Sequence, residues 1–307
     1  MNKLIKLLFF LFIFINLFFI SDQLTNCIKL SCEIWFSNLI PSMLPIYIAS
    51  DILINYGFVD FLAIIFKPFV NKLFGLSGNA SFVVFFSMLT GFPSSAKYIK
   101  NLLEKNLIDI TEANKLIRFT HFSNPLFIVN TIGSFIVNDK TLGIFILISH
   151  YLSNFIIGFI FRKELINSYK IVEKQDEKTL SETLTKSFLE SFNSLLIVLG
   201  SLITFQILTK ILYFYFDFNT YLKIIIESTL EITQGLFELR ALPISSNIKA
   251  IIATIVISFG GLCIHMQMSS ILSDTKIKYK NYLFGRLIQI LLAPIILIII
   301  LLFTNRI

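Results

Sequence analysis

Apolar residues in this chain come in long runs separated by short polar stretches. Runs at 4–20, 36–56, 143–161, 192–214, 251–272 and 282–303 approach the roughly 20 apolar residues that cross a hydrocarbon core as a helix. Two further apolar segments, 77–96 and 119–137, are broken by small polar clusters: Gly91-Phe92-Pro93-Ser94-Ser95-Ala96-Lys97 and Ser123-Asn124-Pro125. A broken helix frees backbone groups that lipid cannot satisfy, so it survives where protein or a wet cavity surrounds it. Paired breaks of this kind hold substrate and ions in secondary transporters.

The polar stretch around Arg162 and Leu180 divides the chain into comparable halves. Each half opens with a polar entry to a span, Cys32–Asn38 and Glu190–Ser194. An amphipathic piece follows, 58–74 and 221–239, and then a glycine-interrupted run, Thr90-Gly91-Phe92 and Phe259-Gly260-Gly261. The expected fold is an all-α polytopic membrane protein of two inverted-type repeats with broken or re-entrant helices. The expected boundaries are an N-terminal transmembrane helix (1–22), a first repeat (23–162), a polar cytoplasmic linker (163–180) and a second repeat (181–307). If the N-terminus and linker are both cytoplasmic, one broken segment of the first half crosses and the other dips in and returns. The span at Phe36 then runs inward and the span at Phe192 outward. Between the breaks, residues 97–118 alternate apolar and charged positions and fit helices lying at the interface, with Asp109 or Thr111 as a cap.

Composition agrees with a membrane location. The 307 residues are 55% hydrophobic, with mean hydropathy +0.80, more apolar surface than a soluble domain can bury. The net charge of +7 reads as topology, since Lys and Arg gather on cytoplasmic loops, and not as a nucleic-acid surface. Lys3 and Lys6, the linker cations Arg162, Lys163, Lys170, Lys174 and Lys178, and Lys276, Lys278 and Lys280 mark the inside segments. Lys3 and Lys6 before an apolar run also fit a secretory signal. No small-x-small cleavage site follows Ile20, which favours a retained span. Cys27, Cys32 and Cys263 have neither the number nor the spacing of a disulfide framework or zinc site.

Candidate chemistry clusters at the breaks. Pro93 fixes the first, and a helix restarting there offers the N–H groups of Ser94 and Ser95 to an anion. Lys97 lies in that first turn, where a cation opposes the helix dipole. A bound anion or a wet cavity relieves the conflict, or the side chain snorkels to the interface. Ser123 and Asn124 form the second break. His121 beside it, and His265 and His150 elsewhere, are either proton carriers or packed, hydrogen-bonded residues. Glu227 and Glu231 are either coupling carboxylates for a proton or sodium ion or solvated positions on an interfacial helix. Gly260 and Gly261 permit unwinding or close packing. Gln234 and Gln267 complete the polar set. With Gly91 and Pro93, the substrate candidates are thus Ser94, Ser95, Lys97, Ser123, Asn124, Gln234 and Gln267. The ion-coupling candidates are Glu227, Glu231, His121 and His265. No phosphate loop, His-Glu-x-x-His or Gly-x-Ser-x-Gly motif occurs, so an ATPase, protease or lipase is not expected. The expectation is a carrier, not an enzyme, with no cofactor and no metal.

These residues resemble a known family. Trp35 with Pro41-Ser42-Met43-Leu44-Pro45, Gly91–Lys97, Thr111-Glu112-Ala113, Ser123–Ile128 and His150-Tyr151-Leu152-Ser153-Asn154 are similar to motifs of the YlbJ-type sporulation integral membrane proteins, as are Glu231–Gly235 and Phe259–Gln267. That family lies in the nucleoside-recognition, or Gate, membrane superfamily, which makes both repeats Gate-like. The resemblance covers about Trp35 to Leu287. It implies a role in spore formation: export of dipicolinic acid, a small aromatic dianion, from the mother cell across the outer forespore membrane. It further implies the lipid bilayer and a small anionic solute as partners, with a homo-oligomer or sporulation membrane proteins beside them. His121 stands where the family more often has another polar residue, and the chain is short for the family. A Gate-type carrier of nucleosides or another metabolite, or a non-transporting sporulation scaffold, therefore stays open.

Overall fold

The computed structural model describes residues 3–163 and 179–306, all of whose regular elements are helical. Most of the expected linker, including Lys170, Lys174 and Lys178, lies outside the described residues. The first half runs α1 (Lys3–Phe19), α2 (Ser21–Ile34), a π-helical turn (Trp35–Leu39), α3 (Ile40–Asn55), α4 (Phe58–Phe74), α5 (Ala80–Thr90), α6 (Ser94–Glu104), α7 (Ile110–Phe119), a π-helical segment (Phe127–Val137) and α8 (Lys140–Ile160). The second runs α9 (Leu180–Tyr215), α10 (Thr220–Leu230), α11 (Ile232–Ala241), α12 (Ser246–Phe259), α13 (Gly261–Ile271) and α14 (Tyr279–Phe303).

Among the described residues, five stretches are long and apolar enough to span a membrane: Ser21–Asn55, Lys140–Ile160, Leu180–Tyr215, Ser246–Ile271 and Tyr279–Phe303. The expected span at 36–56 thus starts earlier, because α2 continues through the π turn into α3 without a break. The span expected at 192–214 likewise begins at Leu180, where Thr179 and Glu182 form a reciprocal capping box that satisfies the first free N–H groups. The polar entries seen in the sequence are therefore interior to long helices. α1 has 17 residues, about 25 Å at 1.5 Å per residue.

Two pairs of short helices fold back on themselves. The Phe82 and Phe86 rings of α5 lie 5.6 Å and 6.0 Å from the Tyr98 ring of α6. In one straight helix residues 82 and 98 would stand roughly 24 Å apart, so the chain reverses at Gly91–Pro93. The second reversal is tighter. A Cβ on Gly235 of α11 would come within 2.6 Å of the Ser228 Cα of α10, so only glycine lets the arms close around Glu231.

Each hairpin is followed by an interrupted helix and then a long one: α7, the irregular turn 120–124 and the π segment before α8, and α12, Gly260 and α13 before α14. The π segment packs along α8, where Gly133 and Gly143 bring the backbones together. The matching of 58–74 with 221–239 expected from sequence is displaced by one element. α4 is a single helix through Pro68, and α10–α11 corresponds to α5–α6. The break at Gly260 correspondingly matches 120–124, not Gly91. α6 and α7 leave positions such as Glu104 and Thr111 exposed but bury charged and polar ones as well. Lys97, Asn101, Glu112 and Lys115 are all buried, each with a partner from another element or loop.

Candidate functional site

All four interruptions meet. Gly91 ends α5 at φ 80°, a conformation open to glycine at no steric cost, and a Cβ there would lie 2.7 Å from the Asn124 backbone nitrogen. The first hairpin tip therefore rests directly on the break after α7. Gly260, at φ 88° between α12 and α13, faces that same break: a Cβ there would be 2.9 Å from His121 Nε2. Gly261 in turn abuts Ile232 and the Ser228 carbonyl of the second hairpin. Hairpin tip, break, break and hairpin tip form one contiguous line through both halves.

His121 stands at its centre. Its ring stacks on Phe92 at 4.6 Å with 12° between planes. Nδ1 lies 3.0 Å from the Tyr282 hydroxyl, and the His121 carbonyl accepts from Asn154 Nδ2 at 2.7 Å. Ser123 donates its backbone N–H to His150 Nε2 at 3.1 Å. Asn124 Oδ1 accepts from the Leu126 N–H at 2.8 Å, supplying a cap where the helix restarts ahead of the π segment. Glu231 does the same for α11, accepting from the Thr233 and Gln234 N–H groups at 3.1 Å each.

The line holds buried polar atoms that no described residue satisfies: Ser95 Oγ, His121 Nε2, Ser123 Oγ, Glu227 Oε2, Ser228 Oγ and Ser258 Oγ. An unmade buried hydrogen bond costs about 1–3 kcal/mol. Several on neighbouring elements make this line the candidate site for a polar ligand. Behind it stands Arg286 of α14, fully buried. It donates to the Arg118 carbonyl at 2.9 Å and Asn154 Oδ1 at 3.3 Å, and also to Gln289 Oε1. No carboxylate pairs with it among the described residues, and its Nε has no partner. Arg286, Tyr282 and Gln289 were not singled out from the sequence. They lie three or four residues apart on α14, a spacing that is a signal only once α14 is known to face the breaks.

Lys97 is committed elsewhere. Its Nζ lies 2.6 Å from Asp51 Oδ2 and 2.8 Å from Ser191 Oγ, and 4.7 Å from the Tyr47 ring centre. It neither snorkels nor waits for a solute: the dipole conflict of the first turn is answered by Asp51, from a helix 46 residues away. Ser94 Oγ donates to the Tyr47 hydroxyl at 3.1 Å, and the Ser94 N–H donates to the Gly91 carbonyl at 3.1 Å, so half of the expected anion cradle is used within the protein. The remaining candidates make their bonds outside the line, although the His265 ring adjoins it through Tyr282 at 4.8 Å. Gln267 donates to Cys263 Sγ within its own helix at 3.3 Å. His265 lies 2.7 Å from the Tyr279 hydroxyl and 3.0 Å from the Phe259 carbonyl. Tyr279 and Tyr282 line a cavity of about 120 Å³ with Ser269, Ser273 and Thr275.

Residues 36–162 match the family model described as Gate, nucleoside recognition. The chain is 28% identical to the sporulation integral membrane protein YlbJ of Bacillus subtilis (strain 168), over 94% of this chain and 80% of that protein. No solved structure matches. Residues 36–162 are thus similar to the Gate, nucleoside recognition, model, within a helical, multi-pass membrane chain similar to YlbJ over nearly all of its length.

Proposed function

We propose that the chain is a secondary membrane carrier for a small polar heterocyclic solute, held where the four interruptions converge. The observation that carries this reading is the row of unsatisfied buried polar atoms around His121, contributed by both hairpins and both interrupted helices. A solute there would bond to the hydroxyls and to His121 Nε2 while Phe92 closes one side. The two halves would act as inverted repeats with α5–α6 and α10–α11 re-entrant, and they would rock about this site. Glu227 and Glu231 at the second hairpin remain the coupling candidates nearest the solute.

Arg286 favours a carboxylated solute, because a buried guanidinium without a carboxylate partner gives the site an uncompensated positive charge. Dipicolinate, a planar dicarboxylate, fits that demand. Similarity to a sporulation integral membrane protein supports a role in sporulation, and within that role dipicolinate as the solute and the outer forespore membrane as its place are our proposal. The Gate match favours a second reading, a nucleoside carrier, for which the hydroxyl-rich line suffices without Arg286.

The test is uptake of labelled dipicolinate and labelled uridine into proteoliposomes, with wild type beside His121→Ala and Arg286→Gln. Saturable dipicolinate uptake reduced tenfold or more in both variants is expected, about 1.4 kcal/mol of lost interaction. Uridine uptake insensitive to Arg286→Gln would move the assignment to nucleosides. No uptake of either solute under a proton or sodium gradient would sink the carrier reading.

A further inference from the structure

The buried pair Asp51–Lys97 is built as more than a strut. Asp51 accepts from three side chains of two other helices: Lys97 and Asn101 of α6, at 2.6 Å each, and Ser191 of α9 at 3.3 Å. Both charged side chains are 3% exposed. Yet Asp51 also lines a polar cavity of about 150 Å³, with Asn55, Asn101, Glu104, Lys105, Lys186, Ser187 and Glu190. An ion pair sealed in hydrocarbon has no proton source, whereas this one meets a polar mouth.

The other charges around it balance, two carboxylates against two ammonium groups. α9 contributes Glu190 and Lys186 to the cavity, and the end of α6 contributes Glu104 and Lys105. Tyr47 of α3 and Tyr98 of α6 close the inner side. Lys100, also on α6, is engaged by Asp274. The other neighbours of α6 offer nothing competing: α5 has no titratable residue, Glu112 of α7 is bonded to Ser77, and His265 of α13 is turned onto Tyr279. The charges of α4 (Asp60, Lys67, Lys72) are exposed. Glu190 and Glu104 are thus the alternative acceptors for the Lys97 ammonium.

We propose that Asp51 is a proton-binding site that couples proton entry to movement of the α5–α6 hairpin. A proton from cavity water adds to an Asp51 carboxylate oxygen and neutralises it. Lys97 is left as an unpaired buried ammonium, and the cost of that charge drives it outward to Glu190 or Glu104. α6 moves with it, and its N-terminal end is the tip that rests on Asn124. Loss of the proton to the same or the opposite water phase restores the pair. One proton bound and released per cycle balances the step, and no other reactant is needed. The coupling to solute rests on the carrier reading above, but the switch itself does not.

Trp35, the single tryptophan, reports on the site. It packs with Tyr47 and Leu195, and its indole donates to the Leu195 carbonyl of α9 at 2.8 Å. The experiment is Trp35 emission of the full-length protein in liposomes, titrated from alkaline to acid pH. Wild type, Asp51→Asn, the neutral pair Asp51→Asn/Lys97→Met and the control Asp274→Asn are compared. A reversible transition is expected in wild type and Asp274→Asn, absent in both Asp51 variants. A flat wild-type titration, or a transition that persists in Asp51→Asn, would overturn the proposal. In a second arm, a pH gradient drives labelled dipicolinate uptake, compared with exchange of internal for external dipicolinate. Asp51→Asn should lose gradient-driven accumulation at least tenfold while exchange continues. Loss of exchange as well would reduce Asp51 to a structural strut. No exchange in wild type, with the Trp35 transition intact, would remove the carrier reading and leave the switch standing.

Discussion

Three residues show how environment assigns a role that residue type leaves open. Lys97 in a helix's first turn is an oddity in one dimension and an ion-paired group in three, because Asp51 arrives from α3. Removing one member of a buried pair strands the other charge at about 3–5 kcal/mol, whereas replacing both with neutral groups is often close to neutral. Asp51→Ala should therefore depress the thermal melt in detergent strongly, while Asp51→Ala/Lys97→Met recovers most of the loss. Equal melts for the two would show the pair to be solvated. Gly260 is a second case: φ 88° and the nearness of His121 leave no room for a methyl group. Gly260→Ala should cost about 1–3 kcal/mol in backbone strain and weaken uptake together with stability. Asp274 is a surface case: the bonded Lys100 ammonium holds its carboxyl below the usual carboxylate range. Its stabilising share is present above that range and is lost as the pH falls through the lowered value. Asp274→Asn should thus shift the melt slightly at neutral pH and not at all in strong acid.

At the level of elements, glycines decide which helices touch. Gly133 and Gly143 let the π segment lie backbone to backbone on α8, and Gly235 does the same for the second hairpin. Overfilling such a contact costs about 1–3 kcal/mol. Gly143→Leu should lower the melt by that order, measured beside Gly200→Leu, since Gly200 has open space around it. A larger loss in Gly200→Leu would contradict the packing. The long apolar elements were readable from run length alone, because lipid demands about 20 residues of any spanning helix. Their starts were not. α2, the π turn and α3 form one rod through the polar residues Glu33, Ser37 and Asn38, and α9 takes in Glu182 and Glu190. Helix propagation carries such residues once a cap such as Thr179 has started the turn.

For the whole molecule, the repeated order of hairpin, interrupted helix and long helix leads to a topological expectation. If the repeats are inverted, the α6–α7 and α11–α12 connections lie on opposite membrane faces. Single cysteines at Asn106 and Ser245, in a background lacking Cys27, Cys32 and Cys263, should then react with an impermeant maleimide from opposite sides. Labelling from the same side would remove the inversion. The reversal at Glu231 lay hidden inside the amphipathic piece 221–239, but the sequence by itself determined that this chain is a helical membrane protein, where three of its four interruptions fall, and which residues populate them. Run length, glycine, proline and capping residues act locally, so these properties are legible in one dimension. Only the tertiary structure decided that the four interruptions share one line through His121, that Arg286 stands behind it with no carboxylate partner among the described residues, and that Lys97 belongs to Asp51. Those facts depend on which distant segments pack together, and packing joins residues such as His121 and Gly260 through contacts that no local pattern encodes.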